Sequence, residues 1–336
     1  MAFLKQNHFS ILLLLLGFGF GFWMGHAGGA SQVEAAIKES LQPIKESGTA
    51  YRFVHPLLAY RTPEAVQMGE FVELKDSYVS LDRSAKREGV SRLSVYFRDL
   101  ETGRWVGLNQ DDAYYPASLL KVPTMIALYK QAEENPSLLR DTMPYDPSVA
   151  PEVPFGMPSV LVPWRSYSVQ ELINRMIVDS DNGATFTLLN RINWDYLHGV
   201  YVALGIPDPG DDSLNYKLSP RMQALFFRIL YNATYLSSGY SERALELLTK
   251  TTYTKGLVAG VPQGVIVAHK YGEHVLAEGA KVQGIELSDC GIVYYPGHPY
   301  VLCVMTSAGD VSSAEKIIAQ VSSITYDAVA KQYQNN

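Results

Sequence analysis

The chain has 336 residues, 47% of them hydrophobic and 18% charged. That balance supports a sizeable core in one large domain or two modest ones and excludes disorder as the main state. Lys and Arg number 28 against 34 Asp and Glu, a formal charge of −6, which excludes the basic footprint that nucleic-acid binding needs. Cys290 and Cys303 are the only cysteines, too few for a disulfide scaffold or a four-thiolate zinc site. The seven histidines contain no His-Glu-x-x-His, so no metal and no other cofactor is expected.

Residues 11–24 read ILLLLLGFGFGFWM, and no Asp, Glu, Lys or Arg stands between Lys5 and Glu34. One positive charge, a short apolar run and then Gly28, Gly29 and Ala30 have the layout of a secretory signal. The wider run 9–25 leaves an uncleaved anchor as the alternative, although a comfortable span takes about 20 residues. Residues 1–30 are therefore expected to be a signal peptide or membrane anchor, and the body of the protein to lie outside the cytoplasm. Residues 31–66 read as a polar spacer and N-terminal extension, in which the apolar stretch 51–60 packs on the domain surface. The expected catalytic domain covers 67–336.

A helix is expected over about 67–88, where Phe71, Leu74, Tyr78 and Leu81 fall at helical spacing. Strands at 93–97 and 105–108 flank a Glu101-Thr102-Gly103 turn. A helix starts near Ser118, with Pro123 marking an irregular first turn. The pattern stays helical over about 132–258. In that block Ser168-x-x-Glu171 is a capping box, and Ser219-Pro220 an N-cap followed by proline at the first helical position. Strands return at 265–270, 291–295 and 300–306, and a helix at about 311–332 closes the chain with Ile317, Ile318, Val321 and Ile324 inward. Two strands, a helical block, three strands and a helix predict an α+β fold: an antiparallel sheet flanked by helices, with an inserted all-helical domain.

Three short motifs carry chemistry. In Ser118-Leu119-Leu120-Lys121 the serine and lysine share one helix face, and a helix start supplies free N–H groups. Buried among Leu119, Leu120, Val122 and Met125, Lys121 would lose basicity and could take the serine proton. The same spacing recurs at Ser313-x-x-Lys316, where Ser312-x-x-Glu315 reads as a cap. Ser180-Asp181-Asn182 lies between two helices; helix capping and a proton-passing serine beside an amide donor are both open there. Lys270-Tyr271-Gly272 ends a strand, and either a solvated lysine or an anion ligand fits, with Gly272 permitting close approach.

In this order the three motifs are those of serine penicillin-recognising enzymes, and the sequence resembles class A β-lactamases over roughly 67–332. The resemblance implies their fold, with a five-stranded antiparallel sheet, and a hydrolase that acts through an acyl-enzyme on Ser118. It makes Lys121 the proton acceptor, Ser180 the shuttle to the leaving nitrogen, Asn182 a ligand of the substrate amide and Lys270 the carboxylate site. The backbone N–H groups of Ser118 and Glu273 become the oxyanion hole. Where the family carries the deacylating glutamate, the best match is Asp211-Asp212-Ser213-Leu214-Asn215, so Asp211 is the candidate and Asp208 and Asp212 its rivals. Tyr271 replaces the usual Thr or Ser at the substrate-binding strand, together with Gly272 and Glu273. Cys290 stands where an arginine is often offered to the carboxylate, with Lys281 as its substitute. Cys290 and Cys303 lie on neighbouring strands, and a bond between them is left open. The implied partner is a small-molecule β-lactam or a peptidoglycan peptide, bound by a monomer that meets membrane only through its N-terminal segment. A D,D-peptidase and a binding module without turnover are the alternatives to a β-lactamase.

Overall fold

The structure, a computed structural model, describes residues 44–45, 51–59, 71–149, 159–210, 215–279 and 281–333. The signal or anchor, most of the spacer and the whole candidate segment 211–214 lie outside the described residues. The elements named below belong to one compact unit, residues 45–58 and 66–336; the second unit, 1–44 and 59–65, falls almost wholly outside the described residues.

Five antiparallel strands form the sheet: β1 (Val90–Asp99), β2 (Trp105–Leu108), β3 (Val267–Glu278), β4 (Lys281–Val293) and β5 (Tyr300–Ala308), in the order β2-β1-β5-β4-β3. The expected α+β architecture with a five-stranded sheet is what is found. Strand β5 is central and every residue in it is buried, because both of its faces are covered. On one face Tyr300, Leu302 and Val304 pack with Phe97 against α1 (Val72–Ala85) and the closing helix α8 (Val311–Tyr333). On the other, Val301, Cys303 and Met305 join the core of the helical block.

That block contains α2 (Lys121–Glu134), α3 (Val169–Val178), α4 (Asn182–Leu189), α5 (Trp194–Leu204), α6 (Pro220–Tyr231) and α7 (Ser238–Leu248). Its caps follow the sequence: Ser168 Oγ accepts from the Glu171 N–H, and Ser219 Oγ from the Met222 N–H. The inward stripes of α1 and α8 are buried at Phe71, Leu74, Tyr78, Ile317, Ile318 and Val321. In the 51–59 stretch Phe53 and Val54 are buried, and their N–H groups go to the Glu242 carboxylate.

Three local expectations are corrected. The cap of α8 is Asp310, whose carboxylate accepts from the Ser313 N–H and hydroxyl; Ser312 lies one residue inside the helix. The strands expected at 265–270 and 291–295 are longer, because β3 and β4 form one long hairpin that pairs Glu278 with Lys281. Lys281 is thereby at the far tip of the hairpin, while Lys270 pairs with Cys290. At about 3.3 Å per residue the intervening strand keeps it out of reach of Lys270. Finally, the segment at Ser118 is a 3₁₀ turn, Ala117–Leu120, and α2 proper begins at Lys121.

Candidate active site

Ser118 sits in that 3₁₀ turn, half-buried and directly after Ala117, which has φ +47°. A left-handed alanine costs about 1 kcal/mol or more, and here it turns the chain sharply into α2. Strand β3 is at the sheet edge and lies against this turn. The approach is closest at Gly272, where a Cβ would fall 2.5 Å from the Pro116 carbonyl oxygen and 3.2 Å from the Ser118 nitrogen. Glycine is required there, and the open backbone of β3 is brought beside the serine.

Lys121 follows one turn later and is buried. Its Nζ donates to the Ser180 carbonyl at 2.5 Å, to Asn182 Oδ1 at 2.8 Å and to Ser180 Oγ at 3.2 Å. Burial pulls its pKa down from 10.5 to about 7, against the opposing pull of the Asp181 charge. Lys270, fully buried on β3, donates to the same Ser180 Oγ at 2.9 Å and to the Tyr271 carbonyl at 3.0 Å. Its pKa is also held well below the usual lysine range, first by burial, then by the Lys121 charge, with Asp289 opposing.

Ser180 occupies the link between α3 and α4 at φ +57°, another left-handed residue that is not glycine. Asp181 explains how the link is held. It is buried at the N-cap of α4, accepting from the Ala184 N–H at 2.8 Å, from Ser159 Oγ at 2.8 Å and from the Val160 N–H at 2.8 Å. Asp181 caps α4, while Ser180 on one side of it bonds both lysines and Asn182 on the other bonds Lys121.

The structure thus brings Lys121, Ser180, Asn182 and Lys270 into one hydrogen-bonded cluster, with Ser118 one helical turn before Lys121. None of the Lys121 hydrogen bonds goes to Ser118. Glu273 is exposed, and its side chain alternates to the other face of β3 from Lys270 and Gly272. The Tyr271 ring leaves that face too. It packs with the α1–α8 core and stacks on Tyr253 at 4.1 Å between centroids, while the Lys270 ammonium lies 4.3 Å from the ring. Asp211 and Asp212 lie outside the described residues. The rival Asp208 bonds His198 Nδ1 at 2.8 Å and the Gly210 N–H at 2.7 Å, outside the cluster. Among the described residues no group of His, Cys, Asp or Glu could hold a metal ion.

Several residues escaped the sequence reading. Asp289, completely buried, bonds His269 Nδ1 at 2.8 Å and the Leu257 N–H at 2.9 Å, directly behind Lys270. Glu286, also buried, accepts the Tyr115 N–H at 2.8 Å and fixes the approach to the serine turn. The two acids of β4, Glu286 and Asp289, three residues apart among apolar neighbours, were the available signal. Cys290 and Cys303 are directly paired in register and disulfide-bonded, both fully buried.

Solved structures share this fold. The structure of PBP-A matches with a TM-score of 0.65 at 25% identity, over 77% of this chain and 97% of that one. A PBP-A mutant, described as an acyl-enzyme complex with penicillin G, matches with a TM-score of 0.64 at 25% identity, over 77% and 97%. A class A beta-lactamase from Mycobacterium abscessus matches in fold, with a TM-score of 0.65 at 22% identity over 76% and 99%. No curated protein matches the chain. The family model described as "Beta-lactamase enzyme family" matches residues 78–329, well over half of the sequence, and the chain belongs to that family.

Proposed function

We propose that this protein is a serine hydrolase that opens β-lactams through an acyl-enzyme on Ser118. The observation that carries the reading is the convergence of Lys121 and Lys270 on Ser180 Oγ, at 3.2 and 2.9 Å. Two lysine Nζ atoms on one hydroxyl, with no carboxylate bonded to either among the described residues, leave a place for an anionic substrate group. A substrate carboxylate takes that place, between Lys270 and Ser180. Its carbonyl oxygen then points to the N–H groups of Ser118 and Glu273. Neutral Lys121 accepts the Ser118 proton as Oγ attacks the carbonyl carbon. The C–N bond breaks as Ser180 passes its proton to the leaving nitrogen and regains one from protonated Lys121, whose Nζ lies 3.2 Å from Ser180 Oγ. Asn182 donates its amide to the acyl arm. Water then cleaves the ester, with Asp211 as its base. An extracytoplasmic place of action belongs to the same proposal and rests on the apolar run 11–24.

Intact mass of residues 31–336 mixed with a penicillin tests the reading, with Ser118→Ala as control. A transient adduct on Ser118 with accumulating product is expected, and Asp211→Asn should prolong it. No adduct overturns the assignment. A second reading is a D,D-peptidase or penicillin-binding module that acylates and holds. It is favoured by one specific feature: no glutamate occurs between Ser180 and Glu242, and aspartate is one methylene shorter. It is also in keeping with the penicillin G acyl-enzyme of PBP-A. A long-lived adduct, unchanged by Asp211→Asn, selects it.

A further inference from the structure

Side chains alternate along β3, so Lys270, Gly272 and His274 share the face that meets the serine turn. The His274 ring stacks on Tyr115, with centroids 4.2 Å apart and planes at 25°. Tyr115 stands three residues before Ser118. A third segment completes the group. Tyr114 and Leu218 exchange both backbone hydrogen bonds, at 3.0 and 2.9 Å, which sets Lys217 beside Tyr115. The Lys217 ammonium lies 4.4 Å from the Tyr115 centroid.

Charges behind this group are matched to one another. Glu286, across the ladder from His274, takes the Tyr115 N–H at 2.8 Å, Ser307 Oγ at 3.2 Å and Arg92 Nη1 at 3.4 Å. Arg92 also meets Asp112 at 3.7 Å. Lys217 is exposed and belongs to no ion pair among the described residues. It is a cation held by an aromatic face and left open to solvent.

The direction of the substrate follows from the proposed function, on which this inference rests. A carboxylate at Lys270 and a carbonyl oxygen at the Glu273 N–H align the substrate along the edge of β3. The acyl arm then continues past Glu273, onto His274, Tyr115 and Lys217. We infer that these three residues form a subsite for an acyl arm carrying its own carboxylate, with Lys217 as the counter-charge and the stacked rings as the floor. The substrate class is then a β-lactam with two anionic groups, one at each end of the reacting amide.

Benzylpenicillin and its α-carboxy analogue differ by that one carboxylate and are suitable probes. The second-order rate of Ser118 acylation is measured for both, on the wild type, Lys217→Gln and Lys217→Arg, with melting curves confirming that each folds. The ratio of the dianionic to the monoanionic rate is expected to fall about fivefold in Lys217→Gln, the order of a partly screened charge pair. Lys217→Arg is expected to keep the ratio, and high salt to lower it in the wild type and in Lys217→Arg but not in Lys217→Gln. A ratio unmoved by Lys217→Gln, with Ser118 acylated by both compounds, overturns the subsite and leaves the proposed function standing. No adduct with either compound overturns the proposed function, and the subsite with it.

Discussion

Lys121 and Lys270 share one acceptor, the hydroxyl of Ser180, from opposite sides of the site, one reaching from α2 and the other from β3. Like charges that close cannot both be fully protonated in a buried setting without cost. Burial lowers both pKa values, that of Lys121 to about 7. The neutral form of Lys121 is therefore present at physiological pH, which a general base requires. Acylation of Ser118 by a penicillin is expected to rise about tenfold per pH unit below pH 7 and to level off above it. Lys121→Arg, whose guanidinium stays charged, should abolish the reaction at every pH. A flat stopped-flow profile in the wild type between pH 5 and 9 would exclude Lys121 as the base.

The same shift makes a stability prediction of definite sign. Lys121 has a lower pKa folded than its ordinary value of 10.5, so between about 7 and 10.5 the unfolded chain binds more protons. Stability through this group rises with pH across that window, and the full cost of burying the charge is present below about 7. Lys121→Met is expected to raise the melting temperature by several degrees at pH 7, and by less as the pH approaches 10. Calorimetry at both pH values checks it. A lower melting temperature at pH 7 would mean that the three lysine hydrogen bonds outweigh the desolvation.

Gly272 offers a steric test. Its missing Cβ would lie 2.5 Å from the Pro116 carbonyl oxygen, a backbone atom that no rotamer change can move away. Gly272→Ala must part β3 from the serine turn by a sizeable fraction of an ångström. Displacements on that scale cost on the order of 100-fold in rate. We expect such a loss in acylation with a circular dichroism spectrum like that of the wild type, since β3 is an edge strand and relaxes outward. An acylation rate within twofold of wild type would show that the oxyanion hole does not use this strand.

What the sequence revealed and what it withheld divide along physical lines. Periodicity located α1 and α8 because a single buried stripe alternates with solvent at Phe71, Leu74 and Tyr78, and again at Ile317, Ile318 and Val321. Ser118, Lys121, Ser180 and Lys270 were legible because their spacing is local and their order along the chain is distinctive. The length of the β3–β4 hairpin was not, because its outer half, residues 275–279 and 281–283, is exposed or half-exposed and carries no apolar alternation. The His269–Asp289 and Tyr115–His274 contacts were equally hidden. His269 and Asp289 are brought together by the β3–β4 register, which is set by the whole packed face rather than by any short window, and Tyr115 and His274 by the packing of the segment before the serine turn on the edge of β3.

Asp181 is expected to separate architecture from chemistry in the Ser-Asp-Asn link. It has no hydrogen bond to Ser118, yet its carboxylate holds the Ala184 and Val160 N–H groups and Ser159 Oγ. Removing it leaves a helix N-terminus and a buried loop unsatisfied. Asp181→Ala should cost about 2–4 kcal/mol in urea unfolding and should slow acylation by releasing Ser180 from its left-handed conformation. Asp181→Asn, which keeps one acceptor oxygen, should recover part of both. Equal losses in the two variants would point to the negative charge, rather than the cap, as what the lysines require.

The disulfide tests whether the floor of the site is rigid by packing alone. Cys290 is Lys270's partner across β3–β4, and Cys303 is Cys290's partner across β4–β5, so the bond lies in the same row of side chains as the lysine. Neither cysteine has exposed surface. A reductant should therefore reach the bond only when the sheet opens, and its reduction rate should follow global unfolding. The bond spans a sequence separation of 13, for which loop closure contributes about 3 kcal/mol. Cys290→Ala with Cys303→Ala should lower the urea midpoint by an amount corresponding to about 3 kcal/mol. Both faces of β5 remain filled by Val301, Met305, Leu302 and Val304, so Lys270 should keep its place and acylation should change less than about threefold, roughly 0.6 kcal/mol. A larger fall in the acylation rate, in a double variant that still unfolds cooperatively, would show that the covalent tie and not the packed sheet holds Lys270 against Ser180.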